Sequence, residues 1–474
     1  MSEAAAGVGP VPGTRTGPTL HRVDLHRVSR SSRPRWLPTL DAATLVGVTL
    51  VVMALVPARA VVPPLGAAGI PALLLGLGML LLCVLARLST GLFVPGPNAL
   101  RWALIGFIAA YALGYVIGYH RALSEAGQSE ADRTLLRMLG LAGISLFIID
   151  GIRDRARLVA ALRWLLGGGA AMAVVGLLQF VAQIDLVPML VPPGLVLNHE
   201  LIGADTERSA MFARVASTAN HYIEFGVVMA MLVPLGLHFI LHGSTRLRRQ
   251  VAVVATGVIA FASLASLSRS AMLALIVVGL VMVPAWTGRA RFNLLCVGGM
   301  FVVGVAAVSP GLLGTYRSLF VRVDSDPSIT GRTMDYALVW PMVNEHPWLG
   351  HGLAQVTIDD IILDNQYLLS LLLVGITGTV ALLAVLLVAA FMAKWVARTA
   401  VDAEARHLGH VLAAPIVAAF VVFGTFDALA FSSYAVLLFA FVGFAGALWR
   451  IDRGVYRRRS RRDPGAVVAA PVAE

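Results

Sequence analysis

The chain has 474 residues, of which 58% are hydrophobic and 13% charged, against about a quarter charged in a soluble domain. With a mean hydropathy of +0.82, an ordinary soluble globular protein is excluded. The formal net charge of +11 lies in the two tails and in alternate short loops, which is how a membrane protein is oriented and not how a nucleic-acid surface is built.

Residues 1–38 are rich in Gly, Pro, Ser and Arg without periodicity and read as a disordered basic cytoplasmic tail. The first apolar run starts near Asp41 with no clear small-residue cleavage site after it, so no signal peptide is expected. Apolar runs follow at roughly 41–57, 65–86, 100–119, 134–150 and 158–183, then 221–241, 250–267, 270–286 and 293–309, and last 366–394, 409–427 and 433–450. Runs of about 20 apolar residues span a bilayer core, and in lipid they must be helical because each backbone group needs an internal partner. The predicted fold is therefore all-α: a polytopic membrane protein of about twelve transmembrane helices. Residues 39–183 form an N-terminal bundle, 184–450 a second transmembrane region with a large extracytoplasmic loop holding short helices, and 451–474 a basic tail. Cys83 and Cys296 fall inside apolar runs and support neither a disulfide framework nor a metal site.

The arginines set the orientation. Arg87 and Arg101, the Arg153–Arg163 group, Arg246–Arg249, Arg289 and Arg291, and Lys394, Arg398 and Arg406 fall on alternate connections and are placed inside together with both termini. The opposite connections are poor in basic residues or mix signs, as in RALSEAGQSEADR. The two longest, 184–220 and 310–365, are then extracytoplasmic, and connections of that length are usually functional or disordered. Within the second, ITGRTMDYALVWPMVNEHP reads as a short amphipathic helix capped by Thr330, with Met334, Leu338 and Val339 on one face. GITG at 375–378 marks a kink or a half-inserted segment in an overlong run.

Chemistry is expected where the chain stops being apolar. Arg214, Arg269 and Arg332 lie opposite the orienting charges. Arg269 has almost no loop around it, and an arginine at that depth is costly. Guanidinium forks suit phosphate or diphosphate oxygens, although each could equally be an interfacial anchor. Candidate proton acceptors are His199, His221, His346, His351, Asp359, Asp360 and Asp364. Asp364 is best placed, at the re-entry into the membrane beside Asn365, where partial burial raises a carboxyl toward a useful base; it is also a plausible helix cap. HPWLGH contains Pro and Gly, so His346 and His351 are not read as a metal pair. Tyr336, Trp340 and Trp348 suit either sugar stacking or an interfacial aromatic belt.

Four segments, in order, resemble the O-antigen ligase and polymerase family of bacterial envelope enzymes: RVASTANHYIEFG at 214–226, SLSRSA at 266–271, GRTMDYALVWPMVNEHPWLGHGL at 331–353 and DNQYLLSLLLVGITG at 364–378. The likeness covers about residues 205–395. It implies a glycosyl transferase of the plasma membrane that moves a glycan from a polyprenyl-diphosphate carrier to a glycan or lipid acceptor on the outer face. No cofactor or metal is implied, and membrane lipids are the other partners. On this resemblance Arg214, Arg269 and Asp364 are catalytic, and Arg332, Asn220, His221, His346, His351, Asn365 and Tyr336 bind substrate. Ligases of the family usually carry His in place of Asp364, with ten residues between it and a glycine (here Gly375), and often an acid in place of Val374. The departure favours a polymerase, or a ligase for a capsule, exopolysaccharide or wall glycan, over lipid A-core ligation. A transporter or flippase of lipid-linked glycan, which would show repeated halves and broken helices, is the alternative. A non-catalytic scaffold in an envelope complex is a third.

Overall fold

The computed structural model describes residues 41–88, 97–121, 123–198, 208–209, 212–308, 327–354 and 363–462. The region 1–38, His199, Asp359 and Asp360, and the end of the C-terminal segment lie outside them. The described chain is helical apart from two short strand pairings. The helices are α1 (Ala42–Leu55), α2 (Pro71–Leu88), α3 (Ala99–His120), α4 (Glu125–Gly151), α5 (Arg155–Ala182), α6 (Tyr222–His242), α7 (Arg246–Ala265), α8 (Arg269–Met282) and α9 (Gly288–Val308). They continue with α10 (Pro327–Glu345), α11 (Gln366–Thr399), α12 (Ala403–Val422) and α13 (Ser432–Arg462). Among the described residues, nine helices are long and apolar enough to cross a membrane, and Ala42–Leu55 and Arg269–Ala285 are shorter apolar helices.

Burial separates the helices into two shells. In α13, α4 and α6 the apolar stretch is 83%, 78% and 78% buried inside the protein, whereas in α2, α3 and α7 it is 28%. A helix apolar all round is either central or lipid-facing; here α4, α6 and α13, with α12 at 72% buried, form the centre and α2, α3 and α7 lie in its wall. Close approach replaces the hydrophobic effect between helices in lipid. At the α2–α4 contact a Cβ on Gly143 would lie 2.3 Å from the Gly76 carbonyl oxygen, and one on Gly76 would lie 2.5 Å from that of Gly140. Ser145 of α4 donates to the Phe439 carbonyl of α13 at 2.5 Å.

The basic connections gather at one end. Arg155, opening α5, pairs with Asp402 at the cap of α12 and Glu404 in its first turn, and Arg157 pairs with Asp41. Arg101 meets Asp150 at 2.6 Å. The opposite end holds the connections 56–70, 266–268 and 423–431, the described parts 183–198 and 212–221, and the segment 346–354. There strand β1 (Ala60–Val61) pairs antiparallel with β2 (Val196–Leu197), and Thr218 ties to α1 through its hydroxyl on the Ala54 carbonyl. A second pairing, β3 (Arg208–Ser209) with β4 (Phe212–Ala213), closes the 208–213 turn.

Three elements depart from the sequence expectation. The RALSEAGQSEADR connection is largely helix: Ser124 caps α4 by accepting from the Gly127 amide, so α4 begins nine residues before the apolar run. Helix α10 starts at Pro327, which places Thr330 inside it rather than at its cap. Its buried face is Asp335, Val339 and Val343, packed on Leu363, Leu368 and Leu372; Leu338 is exposed instead. Finally, α13 runs on to Arg462, so the first half of the segment read as tail is helical.

The expected kink is present at Gly375, with φ 62° and ψ −165° inside α11. An unbroken helix would bond the amides of Ile376 and Thr377 to the carbonyls of Leu372 and Leu373. Those four groups turn outward to the 346–352 turn instead. Leu372 accepts from the His351 amide at 2.8 Å and Leu373 from Gly352 at 2.9 Å, while Ile376 donates to Pro347 and Thr377 to Trp348. The turn thus heals the break it sits against.

Candidate functional site

A cavity of about 310 Å³ opens at the end away from the basic connections, within the usual size of a ligand pocket. Its polar lining comes from five segments, with Ala67 and Leu353 adding apolar surface from two more. Tyr111 comes from α3, Glu130, Arg133, Thr134 and Arg137 from α4, Asn220 from the loop before α6, Gln366 and Ser370 from α11, and Asp427 and Phe431 from the α12–α13 connection. Helical spacing puts Glu130, Arg133, Thr134 and Arg137 on one face of α4, which explains why a charged stretch can be helical at a membrane surface.

The α11 wall is fixed by its own cap. Asn365 accepts from the amides of Tyr367 and Leu368 and donates its side-chain amide to the Tyr336 hydroxyl at 3.2 Å. Gln366 donates to Ser370 and accepts from the Leu429 amide at 2.7 Å, which locks the 427–431 turn to the top of α11. Asp364 precedes this cap, half-buried, and the cap itself is Asn365. Burial, then repulsion from the Asp364 carboxylate, pushes the Asp427 carboxyl up to about 8. Asp427 therefore holds its proton near neutrality and can donate it.

Asn220 marks the side of the cavity toward α6. Its backbone amide donates to Glu224 at 2.7 Å; its side-chain oxygen is buried with no hydrogen-bond partner among the described residues. Glu224, fully buried, also accepts from the amides of Ser433 and Tyr434 at the start of α13. It joins the first turns of α6 and α13, and negative charge is favoured at both helix N-termini. Ser217, at φ 53°, anchors the loop with its amide on Gln179 and its hydroxyl on the Met172 carbonyl.

The other residues expected at the site fall around this cavity, in two groups. Arg214 donates to the Tyr222 hydroxyl at 2.5 Å and lies over its ring. His221 lies between Tyr222 and the cavity residue Phe431, its ring tilted against both with centroids 4.1 and 6.0 Å away. Burial, then the Arg214 charge, lowers the His221 imidazole to about 4, so it is neutral at physiological pH. Arg269 opens α8, and its turn is packed on α6: Ser263 donates to the Gly226 carbonyl, and a Cβ on Gly226 would meet the Ser266 hydroxyl at 2.2 Å. The segments of Arg214 and Arg269 are thus brought to the same end of α6. Neither arginine lines the cavity wall as described.

His346 and His351 face each other with ring centroids 4.9 Å apart, across the turn that heals the Gly375 break. His351 shares a hydrogen bond with the Met342 carbonyl at 2.9 Å. Arg121 from the end of α3 donates to the Gly350 carbonyl at 2.5 Å and holds this turn against the bundle. Tyr336 is half-exposed on α10. Arg332 also stands on α10, its side chain outside the described residues.

Sequence reasoning missed Glu130 and Arg133 because it read them as part of a mixed-sign loop, and Arg137 because it fell inside the predicted 134–150 run. The Ser124 cap and the four-residue spacing of the two arginines were the signals available. Asp427 ends the predicted 409–427 run and was given no role there.

Residues 255–383 match the family model of O-antigen ligase. The resemblance read from the motifs at 266–271, 331–353 and 364–378 is borne out over this stretch, which carries Arg269, Arg332, Tyr336, His346, His351, Asp364 and Asn365. Arg214, Asn220, the α4 arginines and Asp427 come from outside it. No curated protein matches the chain.

Proposed function

We propose, taking the O-antigen ligase family segment as the premise, that the protein is a membrane glycosyl transferase. It moves a glycan from a polyprenyl-diphosphate carrier to an acceptor glycan or lipid at the outer face of the bacterial plasma membrane. The chain crosses twelve times. The basic end faces the cytoplasm with both termini, as charge orientation requires, and the cavity faces outward. The observation that carries the reading is the cavity itself: Arg133 and Arg137, the carboxylic groups of Glu130 and Asp427, and the Asn220 amide oxygen, buried and without a partner among the described residues, converge on one ligand-sized space. A sugar diphosphate uses the arginines and amide, and an acceptor hydroxyl uses the carboxylic groups.

In the mechanism these residues support, the acceptor hydroxyl oxygen attacks the anomeric carbon and the bond from that carbon to the diphosphate oxygen breaks. The bonding pair leaves with the diphosphate, and the hydroxyl proton passes to the Asp364 carboxylate. Attack opposite the leaving group inverts the anomeric centre. Arg214 and Arg269, with Arg133 and Arg137, meet the charge growing on the diphosphate. Asp427, protonated near neutrality, and the Asn220 and Gln366 amides hydrogen-bond the sugar. Neutral His221, beside Phe431, lines the approach, and Asn365 and Tyr336 fix the α11 cap against α10. The transfer step uses no metal.

Product size tests this reading. The protein in nanodiscs receives lipid-diphosphate oligosaccharide, and the glycans are separated on a gel. A ladder that disappears in Arg269→Ala and Asp364→Asn identifies a polymerase. One discrete product that requires a separate acceptor identifies a ligase. Donor that binds and is never converted refutes the enzyme and favours transport.

A further inference from the structure

At the end opposite the cavity, α6 and α12 bring three histidines together. His238 and His242 share a face of the last turn of α6 (HFILH, 238–242), and His407 lies on the first turns of α12. One nitrogen from each ring falls within 4.8 Å of the others. The His238 and His407 rings stack at 5.2 Å. We propose that His238, His242 and His407 form a binding site for a zinc-type divalent cation, with Glu404 as the fourth ligand.

Four observations point the same way. The Nδ1 atoms of His238 and His407 stand 3.0 Å apart, and Nε2 of both rings is buried with no hydrogen-bond partner among the described residues. Neutral rings so arranged leave an acceptor and an N–H unmet in an apolar setting, where polar groups are normally satisfied. Second, the spacing is near what a metal requires. Four ligands at about 2.0–2.1 Å from zinc stand roughly 3.4 Å apart in a tetrahedron, so the nitrogens need to close by little more than an ångström. Third, an acid is in place with an oxygen to spare: Glu404 Oε1 is 4.0 Å from His238 Nε2, while its Oε2 holds Arg155 at 3.1 Å. Fourth, the site lies at the C-terminus of α6, where the helix dipole favours a cation. His242 is half-buried and gives an ion access from the surface. The set of three imidazoles and one carboxylate suits zinc and its first-row neighbours and not calcium or magnesium.

The site serves as a clamp, remote from glycosyl transfer. Glu224 ties α6 to α13 at the cavity end, and the ion would tie α6 to α12 at the other. With both fixed, the helix that carries Arg214, His221 and Asn220 at its entrance is held along its length.

The experiment uses the full chain, purified without a metal-affinity tag, stripped with chelator and offered zinc chloride. About one zinc per chain is retained after desalting, and the melting temperature rises. Cobalt chloride gives the visible bands of a tetrahedral site. His242→Asn, at the half-buried position where folding is least at risk, weakens zinc binding by roughly tenfold or more and abolishes the thermal shift. Glu404→Gln lowers both without removing a histidine. The double variant His346→Ala, His351→Ala, at the other end of the bundle, leaves both unchanged. Failure of the wild-type chain to retain zinc, or retention equal in wild type and His242→Asn, overturns the proposal. Loss of zinc only in the His346, His351 variant overturns it equally. None of these readouts depends on glycan chemistry, so the outcome is independent of the enzymatic assignment.

Discussion

Gly375→Ala isolates the device that shapes the α11 entrance. The glycine adopts φ 62° and ψ −165°, a combination that costs a non-glycine residue about 1–3 kcal/mol. Its new Cβ would fall 2.4 Å from the Trp348 carbonyl carbon and 2.5 Å from the Leu349 nitrogen, and both are backbone, so no side chain can swing aside. Either the 346–352 turn retreats or α11 straightens. Retreat weakens the four bonds that heal the break, each with a net value of about 0.5–1.5 kcal/mol. Straightening restores two helical bonds and strands the His351 and Gly352 amides. Retreat, with the strain kept and two of the four bonds lost, costs about 2–6 kcal/mol, and straightening, a net loss of two bonds, about 1–3 kcal/mol. Hydrogen exchange of the Ile376, Thr377, His351 and Gly352 amides in detergent reads this directly, with melting temperature as the global measure. The His351 and Gly352 amides should lose protection in either case, those of Ile376 and Thr377 as well if the turn retreats, and glycan transfer should fall with them. Gly106→Ala on α3, where an added methyl meets nothing within 4 Å, should melt with the parent. Unchanged protection at the four amides in Gly375→Ala would refute the reasoning.

Glu224→Leu leaves the amides of Asn220, Ser433 and Tyr434 without their acceptor. At about 1–3 kcal/mol for each buried donor, the melting temperature should fall sharply; a variant that melts with the parent would show the carboxylate to be dispensable. Asp427 carries a pH signature. Its carboxyl is raised from 3.8 to about 8 in the folded chain, so the folded state keeps a proton that the unfolded chain releases. This contribution to stability is full below the unfolded value and is lost as pH rises toward about 8. Asp427→Asn should therefore gain on the parent as pH increases from about 5 to 8, and parallel melting curves would exclude a raised Asp427. Arg137→Ala should weaken binding of lipid-diphosphate donor by roughly tenfold, a loss of about 1.4 kcal/mol, measured by titration in nanodiscs. Equal affinity would remove Arg137 from the diphosphate site.

The membrane helices were legible because lipid permits few alternatives: an apolar run of sufficient length has to satisfy its own backbone. The kink at GITG was legible for a related reason, since a run starting at Asn365 was too long and glycine was its obvious breaking point. The start of α4 was hidden because the test for a span is hydropathy, and Glu125–Arg133 fails it while remaining a capped, solvent-facing helix. The buried face of α10 was misassigned because it carries Asp335, which a hydrophobic pattern discards. The cavity itself was the least legible. Asp427 and Arg137 lie 290 positions apart, and nothing local to either records that the ends of α4 and α12 converge. The His238, His242 and His407 cluster was hidden in the same way, with two members in one helical turn and the third supplied by a helix far along the chain.

Broken membrane helices commonly serve as ion sites, because the interruption exposes carbonyls and amides at mid-membrane depth for a coupling cation or an anionic cargo. The break in α11 is already saturated by protein: the carbonyls of Leu372 and Leu373 and the amides of Ile376 and Thr377 each have a partner in the turn beside them. An ion gradient therefore has no foothold at this discontinuity. The bend aims the capped end of α11, with Gln366 and Ser370, at the cavity, and it holds that geometry without ion binding, as a stationary catalyst requires and an alternating-access carrier does not.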